Sequence, residues 1–279
     1  MSPIPAFAPA DGRAPRRAGW PRPLNPRLRD WRGLRVWIVG ASSGIGEALA
    51  RELGHRGARL ALSARREPPL RALADAAPAG SLVLPLDVTD AAAVQTATGR
   101  IEAEWGGVDL VVWLAGTYAP MRAQQFDLAR ARAMLDANLH GVLNGLAALL
   151  PMCERRTCGG LALVSSVAGY RGLPKSLAYG PGKAAVINLA ETLWLDLSPE
   201  GIGVWLVSPG FVDTPLTAAN DFAMPGLMQP ADAARAMIDG FAQGRFEIHF
   251  PKRFTLWLQL LRLLPDRLYF AAVRRVTGL

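Results

Sequence analysis

Short, uninterrupted apolar runs alternate with helix-like segments through most of this 279-residue chain. Strands that are apolar throughout are buried on both faces, which is typical of a parallel sheet covered by helices. Right-handed crossovers then predict one doubly wound α/β domain, over about 34–250. The predicted strands are 36–39, 59–63, 81–86, 108–114, 161–165 and 204–207, and the predicted helices are 44–56, 90–104, 127–150 and 178–197.

A glycine-rich loop follows the first predicted strand and opens the first predicted helix. Its glycines let the backbone turn tightly and approach a pyrophosphate at the helix N-terminus. The spacing differs from the Gly-x-Gly-x-x-Gly fingerprint. The strand–loop–helix context nevertheless favours a dinucleotide site over a simple glycine turn, and it makes the predicted domain Rossmann-type. The expected contacts are Gly40, Ser42, Ser43, Gly44, Ile45 and Gly46.

The end of the second predicted strand indicates which dinucleotide is bound. An NAD-preferring protein usually places a carboxylate there for the ribose 2′-hydroxyl, whereas this chain has Ala64 followed by Arg65 and Arg66. A guanidinium suits a 2′-phosphate, so NADP(H) is expected rather than NAD(H), with Arg65 favoured as the contact. The alternative is that both arginines only solvate the loop.

Ser166, Tyr179 and Lys183 together describe a proton-donating site. Tyr179 and Lys183 are four residues apart at the start of a predicted helix, so their side chains share one face. An ammonium near a phenol favours the phenolate, so we expect Lys183 to lower the pKa of Tyr179 from about 10. Tyr179 would then serve as a general acid or base. Ser166, at the end of a predicted strand, could hydrogen-bond the same substrate oxygen.

Positive charge is concentrated at the two ends of the chain. The net charge is +8, with eight arginines and two aspartates in residues 1–35 and a net +4 in residues 246–279. This distribution argues against a nucleic-acid groove on the domain and leaves an anionic membrane surface or plain solubility as readings of the ends. The Pro-, Ala- and Arg-rich start predicts a disordered arm over 1–33 rather than a signal peptide.

Cysteine and histidine spacing indicates no metal or redox site. Cys153 and Cys158 form an isolated pair, and the three histidines are scattered along the chain. We expect reduced thiols in a cytoplasmic protein, with no metal. No apolar run is long enough for a membrane span.

In combination, these motifs resemble the short-chain dehydrogenase/reductase family, in its common-length branch, from about residue 35 to about residue 250. The resemblance implies a cofactor contact near the adenine at Asp87. It implies a helix asparagine, Asn138, that holds a proton-relay water. It also implies a segment after Pro209 that closes over the nicotinamide. The residues it adds to the expected site are Asp87, Val88, Ala115, Gly116, Asn138, Pro209, Gly210, Val212 and Thr214.

The resemblance implies hydride transfer between NADP(H) and a carbonyl or alcohol carbon. Tyr179 would give the proton, Ser166 would polarise the carbonyl, and Lys183 would also bind the nicotinamide ribose. Members of the family are often homodimers or homotetramers. The alternatives are a non-catalytic NADP(H)-binding regulatory protein and a membrane-surface protein that uses the basic ends.

The chain departs from the family pattern at two places. Trp113-Leu114 replaces the usual Asn-Asn before Ala115-Gly116, so apolar packing is expected there instead of amide hydrogen bonds. Gly180 and Gly182 flank Pro181 between the tyrosine and the lysine. Proline is tolerated in a first helical turn, but the glycines could loosen the positioning of Tyr179 and Lys183.

The segment after Thr214 and the C-terminal tail bear on the substrate. We expect Phe222, Met224, Leu227 and Met228 to form an apolar lid that favours a hydrophobic carbonyl or alcohol compound. Alternatively, these residues only pack the lid itself. Residues 252–279 are predicted to form two apolar and basic helical pieces, separated by Pro265. They fit a membrane interface, which would make the protein peripheral, and equally a cover over the substrate mouth or a subunit contact.

Overall fold

The computed structural model describes residues 23–77, 80–218, 220, 222 and 224–278. The strands in these residues are β1 (Arg35–Val39), β2 (Arg59–Ser63), β3 (Leu82–Val83), β4 (Leu110–Trp113), β5 (Gly160–Val164), β6 (Gly203–Pro209) and β7 (Glu247–Phe250). These seven strands are parallel and form one sheet in the order β3-β2-β1-β4-β5-β6-β7. The order reverses between β1 and β4, which opens a crevice at the carboxyl ends of the strands.

Helices cover both faces of the sheet, as the apolar strands require. The helices are α1 (Gly44–His55), α2 (Glu67–Asp75), α3 (Ala91–Trp105), α4 (Leu128–Leu135), α5 (Gly141–Glu154), α6 (Tyr179–Leu197), α7 (Pro230–Gln243), α8 (Lys252–Leu261) and α9 (Asp266–Thr277). Successive residues of β1 point to opposite layers: Val36 and Ile38 pack with α1, α2 and α7, whereas Trp37 and Val39 pack with α3, α5 and α6. The predicted doubly wound fold is therefore confirmed.

Strand β3 is shorter than the predicted 81–86. Regular pairing is limited to Leu82 and Val83, although the amide of Leu84 still donates to the carbonyl of Leu62 at 2.9 Å. Beyond Pro85, the amide of Leu86 also donates to the carbonyl of Ala64 at 3.1 Å, so contact with β2 continues past the regular pairing. The sequence prediction also missed α2, α7 and β7.

The predicted helix 127–150 is one long helix that contains a π-helical turn. Asp127 caps it by accepting from the amide of Arg130 at 3.0 Å, and the π turn Asp136–His140 joins α4 to α5. Among the described residues, only Leu128–Glu154 is long and apolar enough to cross a membrane by length and composition alone. Because α5 packs its apolar residues into the core beneath the sheet, this stretch is a core helix of the domain.

The predicted arm over 1–33 is wrong at its C-terminal end, while residues 1–22 lie outside the described residues. Asn25 is 3% exposed, and its side-chain nitrogen donates to the carbonyl of Val204 at 2.6 Å. Its side-chain oxygen accepts from the amide of Val204 at 3.0 Å. The pairing of β6 with β7 begins only at Leu206, so Asn25 serves Val204 as a neighbouring strand would. Nearby, Trp31 packs edge-on against Phe241.

The C-terminal tail forms the two predicted helices and is fastened to the domain by polar contacts. The Arg171 guanidinium donates to the carbonyl of Leu264 at 2.6 Å and pairs with Asp266. It also lies 4.0 Å from the centre of the Tyr269 ring. The Gln259 amide nitrogen donates to Glu247 at 3.0 Å. Arg171 thus binds the turn between α8 and α9.

We predict that Asn25→Ala lowers the free energy of unfolding by about 1–3 kcal/mol, because it leaves a buried amide and carbonyl of Val204 unpaired. Urea denaturation measures this change. The exposed Asn188 is a matched control, and its replacement by alanine should change the stability by less than about 0.5 kcal/mol. Equal effects of the two substitutions would mean that the segment around Asn25 does not stabilise the domain.

Candidate active site

One cavity of about 1180 Å³ opens at the carboxyl ends of the strands. It is lined by every residue that the sequence assigned to catalysis or to the cofactor, from Gly40 at the end of β1 to Thr214 beyond β6. The structure therefore brings together residues that are far apart in the chain. The crevice at the reversal of strand order is where a doubly wound sheet binds its ligand.

The glycine loop at the end of β1 has the close backbone contacts that a phosphate-binding turn needs. A Cβ on Gly46 would lie 2.1 Å from the carbonyl oxygen of Gly40, so only glycine fits. Gly44 has a φ of +57° and would meet Thr214 at 2.8 Å if it carried a Cβ. Ser43, at the N-cap of α1, makes no side-chain capping bond. The first amides of α1 therefore remain free to bind an anion.

Arg65, Arg66 and Asp87 surround the far end of the cavity. The Arg66 guanidinium lies 3.4 Å from the carbonyl oxygen of Ser42, so it leans over the glycine loop. Hydrogen bonds from the amide and hydroxyl of Thr89 keep the pKa of Asp87 below its usual value, with Arg65 adding a smaller effect of the same sign. The part of the site next to Ala64 is thus cationic, as the sequence predicted.

Ser166 and Tyr179 meet at the floor of the cavity. Ser166 is the second residue after β5, and its Oγ accepts from the amide of Ala168 at 3.2 Å and donates to the carbonyl of Pro209 at 3.4 Å. It also lies close enough to the Tyr179 phenol to act against the rise in the pKa of that phenol. A Cβ on Gly169 would lie 2.7 Å from the backbone carbon of Lys183, so this glycine lets the Ser166 loop press against the start of α6.

Lys183 is almost completely buried behind Tyr179. Only 4% of it is exposed, and its Nζ donates to the carbonyl of Val164 at 3.0 Å. The hydroxyl of Ser165 donates to the carbonyl of Lys183 at 2.7 Å. Two residues at the end of β5 therefore fix both the ammonium and the backbone of this lysine.

The expectation that Lys183 lowers the pKa of Tyr179 is wrong for this structure. Burial of the phenol raises the pKa of Tyr179 to about 12, and the hydrogen bond with Ser166 offsets this only in part. The Lys183 ammonium lies 5.7 Å from the centre of the tyrosine ring and is engaged with Val164. Burial lowers the pKa of Lys183 itself to about 8. Desolvation, rather than attraction between charges, therefore determines the pKa values of both groups in this structure.

Asn138 sits in the π turn, where the helix widens beside the cavity. Its side-chain nitrogen donates to the carbonyls of Thr117 at 2.6 Å and Met134 at 2.8 Å. Its side-chain oxygen is buried and has no protein partner. A Cβ on Gly116 would lie 2.5 Å from that oxygen and 3.5 Å from the Nζ of Lys183. The unpartnered oxygen is therefore placed to accept from a water molecule near Lys183.

The two departures from the family pattern are structurally accommodated. Trp113 packs edge-on against Trp37, and Gly145 on α5 makes room for its ring, since a Cβ there would lie 2.4 Å from it. Gly180 and Gly182 are both buried. A Cβ on either would come within 3.3 Å of neighbouring atoms, so these glycines permit close packing at the start of α6.

Aromatic side chains line a further part of the cavity. Phe211 lies 5.8 Å from Phe222 and 5.5 Å from Phe254, measured between ring centres. Phe254 comes from α8, so the tail contributes directly to the cavity. Tyr118, after β4, packs edge-on against Tyr179 at 5.0 Å.

The predicted lid is only partly supported. Phe222 lines the cavity, but Met224, Leu227 and Met228 do not. Met228 instead pairs with Val212 through the backbone and packs on the core, which keeps it away from the opening. Leu227 is 44% exposed. Most of the expected lid is thus a packed segment or a surface segment in this structure.

Sequence reasoning missed Tyr118, Phe211 and Phe254. The first two follow the carboxyl ends of β4 and β6, a position that could have marked them as cavity residues. No local signal marks Phe254, because its place in the cavity depends on the docking of α8. Among the described residues, no group of three or more His, Cys, Asp or Glu side chains is placed to hold a metal.

The chain matches the family described as short chain dehydrogenase over residues 35–223. It is also 40% identical to an uncharacterized oxidoreductase of Myxococcus xanthus over 242 residues, which cover 86% of this chain and 96% of that protein. The chain therefore belongs to the short-chain dehydrogenase/reductase family. It is an oxidoreductase that uses a nicotinamide cofactor.

Solved structures show the same fold. A short-chain dehydrogenase/reductase from Burkholderia phymatum, in complex with NAD, is 25% identical with a TM-score of 0.74, covering 84% of this chain and 94% of that one. A Brucella melitensis protein described as a ribose-5-phosphate isomerase is 28% identical with a TM-score of 0.70, covering 78% and 92%. Because the two descriptions name different activities, the fold alone does not fix the reaction.

We predict that Lys183→Met changes the pH dependence of stability. With a pKa of about 8 when folded and 10.5 when unfolded, the folded protein binds fewer protons between these pH values. Wild type therefore gains stability as the pH rises through that window. The free energy of unfolding of the variant minus that of wild type should be largest below pH 8, and it should fall by about 3 kcal/mol by pH 10.5.

Urea unfolding of the ligand-free protein across this pH range measures the difference. The same substitution at the exposed Lys252 controls for the general effect of removing a lysine. A stability difference for Lys183→Met that does not vary with pH would show that the ammonium is not desolvated in the folded protein.

Proposed function

We propose that the protein is an NADP(H)-dependent reductase that interconverts a carbonyl and an alcohol on a hydrophobic substrate. One observation carries the proposal: Ser166 and Tyr179 line the same cavity as the three phenylalanines Phe211, Phe222 and Phe254. A proton donor and an apolar binding surface thus face the same space.

The residues at the end of β1 and around β4 fit a dinucleotide. A Cβ on Gly46 would collide with the carbonyl oxygen of Gly40, so the turn needs glycine there. The start of α1 offers free amides to a pyrophosphate. Gly116, Pro209, Gly210 and Thr214 line the part of the cavity beside Tyr179 and would hold the nicotinamide end. When bound, the cofactor supplies or takes up the hydride.

Tyr179 is proposed as the proton donor in the reductive direction. The raised pKa keeps its phenol protonated at neutral pH, so it can give a proton to the developing alkoxide. Ser166 would hold and polarise the same oxygen. Lys183 would bind the nicotinamide ribose and, once it turns from Val164, would favour the phenolate that remains. Asn138 would hold the water that returns a proton.

The preference for NADP(H) over NAD(H) rests on charge. Ala64 directly follows β2, where a carboxylate would favour NAD, and the exposed side chains of Arg65 and Arg66 come next in the lining of the cavity. A 2′-phosphate at this place would gain charge-assisted hydrogen bonds. Asp87 is drawn toward Arg65 electrostatically and would lie near the adenine.

The apolar substrate class rests on the three phenylalanines and on what accompanies them. Leu173, Pro174 and Leu216 add further apolar surface to the lining. Burying such surface stabilises a bound compound by about 25 cal/mol per Å². A sugar or charged acid would lose hydration against these apolar side chains.

We predict that Tyr179→Phe lowers kcat at least about a thousandfold, since it removes the proton donor and keeps the ring. NADPH oxidation with aliphatic, aromatic and lipid-like ketones is the assay, and NADPH binding should persist. Tyr118→Phe is the matched control, because this neighbouring phenol packs against Tyr179, and it should keep most of the activity.

The contrary results are equally definite. If Tyr118→Phe abolished turnover and Tyr179→Phe did not, the assignment of the proton donor would be wrong. If wild type bound NADPH but reduced no ketone of the panel, the non-catalytic NADP(H)-binding protein would be the better description.

We also predict that Arg65→Asp raises the Kd for NADPH by about tenfold to a hundredfold, while NADH binding is unchanged or improved. Loss of a charged contact and repulsion of the 2′-phosphate both act in this direction. Arg100→Asp, on α3 outside the cavity, makes the same charge change as a control. Equal weakening of both cofactors by Arg65→Asp would remove Arg65 from the 2′-phosphate site.

A further inference from the structure

Helix α8 is apolar on the face that packs and also on the face that does not. Phe254 lines the cavity, and Thr255 is completely buried. On the opposite side, Leu256 is 49% exposed, Trp257 69% and Leu260 57%. A helix on the surface of a soluble domain ordinarily turns polar residues outward. We call Leu256, Trp257 and Leu260 the outer face of α8.

The apolar exposure continues beyond this helix. Leu263, just after α8, is 75% exposed, and on α9 Leu268 and Phe270 are 58% and 55% exposed. Exposed apolar side chains concentrated on two consecutive helices mark an interaction surface. Tail helices that only covered the opening of the cavity would not need exposed apolar side chains. Contacts of Arg171, Gln259 and Phe254 already attach the side of these helices that faces the domain.

Cationic side chains accompany this apolar surface. Five exposed basic residues belong to the two helices: Lys252, Arg253, Arg267, Arg274 and Arg275. Asp266 is the one acidic residue in 252–278, and it is paired with Arg171. Leucines, an exposed tryptophan and uncompensated positive charge match the interface of a bilayer that contains anionic lipids.

Charge argues against a second copy of the chain as the occupant. A twofold contact would bring the same surface of two protomers together. The cations of both tails would then face each other without acidic partners, which disfavours association. An anionic surface supplies the missing charge.

The docking surface is continuous with the proposed substrate site through α8. The same helix presents Trp257 outward and Phe254 to the cavity. Leu216 and Phe222, which also line the cavity, are 38% and 39% exposed. An apolar compound dissolved in the bilayer would thus meet apolar side chains from the lipid to the cavity.

We propose that α8 and α9 dock the protein on an anionic bilayer surface and that the hydrophobic substrate enters the cavity from that bilayer. The source of the substrate rests on the proposed function, whereas the docking itself does not.

Sedimentation with vesicles tests the docking. The probe is vesicles of equal parts phosphatidylcholine and phosphatidylglycerol, with pure phosphatidylcholine for comparison. We expect the full chain to partition onto the anionic vesicles. A triple variant of the outer face, Leu256→Gln with Trp257→Gln and Leu260→Gln, should lose at least about tenfold in partitioning. The control triple, Phe126→Gln with Leu128→Gln and Leu195→Gln, changes similarly exposed residues elsewhere and should bind as wild type.

A second measurement does not depend on the folding of the triple variant. Lipids brominated in the acyl chains quench a tryptophan that enters the interface. Trp257→Phe, a mild change at an exposed site, should remove most of the quenching seen with wild type. Quenching that persists in this variant would overturn the docking by α8.

The other outcomes are separable. If the outer-face variant partitions as wild type does, the proposal fails. If wild type binds no vesicles, and light scattering shows that wild type is an oligomer but the outer-face variant is not, the surface is occupied by a second copy of the chain. Turnover of a water-soluble ketone by the outer-face variant should equal that of wild type. If wild type reduced no ketone at all, that result would contradict the proposed function, and the docking result would still stand.

Discussion

Burial of the Lys183 ammonium is the constraint around which the catalytic end of the sheet is arranged. A cation that is 4% exposed needs a hydrogen-bond partner inside the protein, and the carbonyl of Val164 provides it. Ser165 holds the backbone of the same lysine, and Gly169 allows the loop to come close. With strand, loop and helix fixed around one charge, Ser166 reaches the Tyr179 phenol. The reduced pKa of Lys183 is the energetic cost of this arrangement.

Much of this site could be predicted from the sequence because its determinants are local. Gly46 is needed because a Cβ there would lie 2.1 Å from the carbonyl oxygen of Gly40, only six residues earlier in the chain. Tyr179 and Lys183 lie one helical turn apart. Each cofactor residue follows a strand whose apolar pattern is visible, and parallel strands bring their carboxyl ends to one edge of the sheet. The doubly wound fold and the cofactor residues therefore follow from short-range patterns.

What the sequence did not reveal depends on contacts between distant residues. Asn25 bonds to Val204 across 179 residues, so a polar, proline-rich start concealed an ordered segment. The pKa of Tyr179 depends on how completely the folded cavity removes water, which no spacing records. Phe254 reaches the cavity because α8 docks on the domain, where Gln259 donates to Glu247 on a strand that the sequence did not predict. Met228, which the sequence placed in the lid, lies away from the cavity for the same reason, because it packs on the core.

Proton transfer and substrate selection therefore depend on different parts of the chain that meet at one loop. Ser166 begins the loop, and four residues later the Tyr170 hydroxyl bonds to Glu247, beside the Gln259 of α8. Arg171 then binds the turn after α8. The family match ends at residue 223, whereas α8 lies beyond it. The loop that positions Ser166 also holds the tail. A shift of α8 would therefore move Phe254 in the cavity and disturb the position of Ser166 at the same time. The tail is in this sense a structural part of the active site.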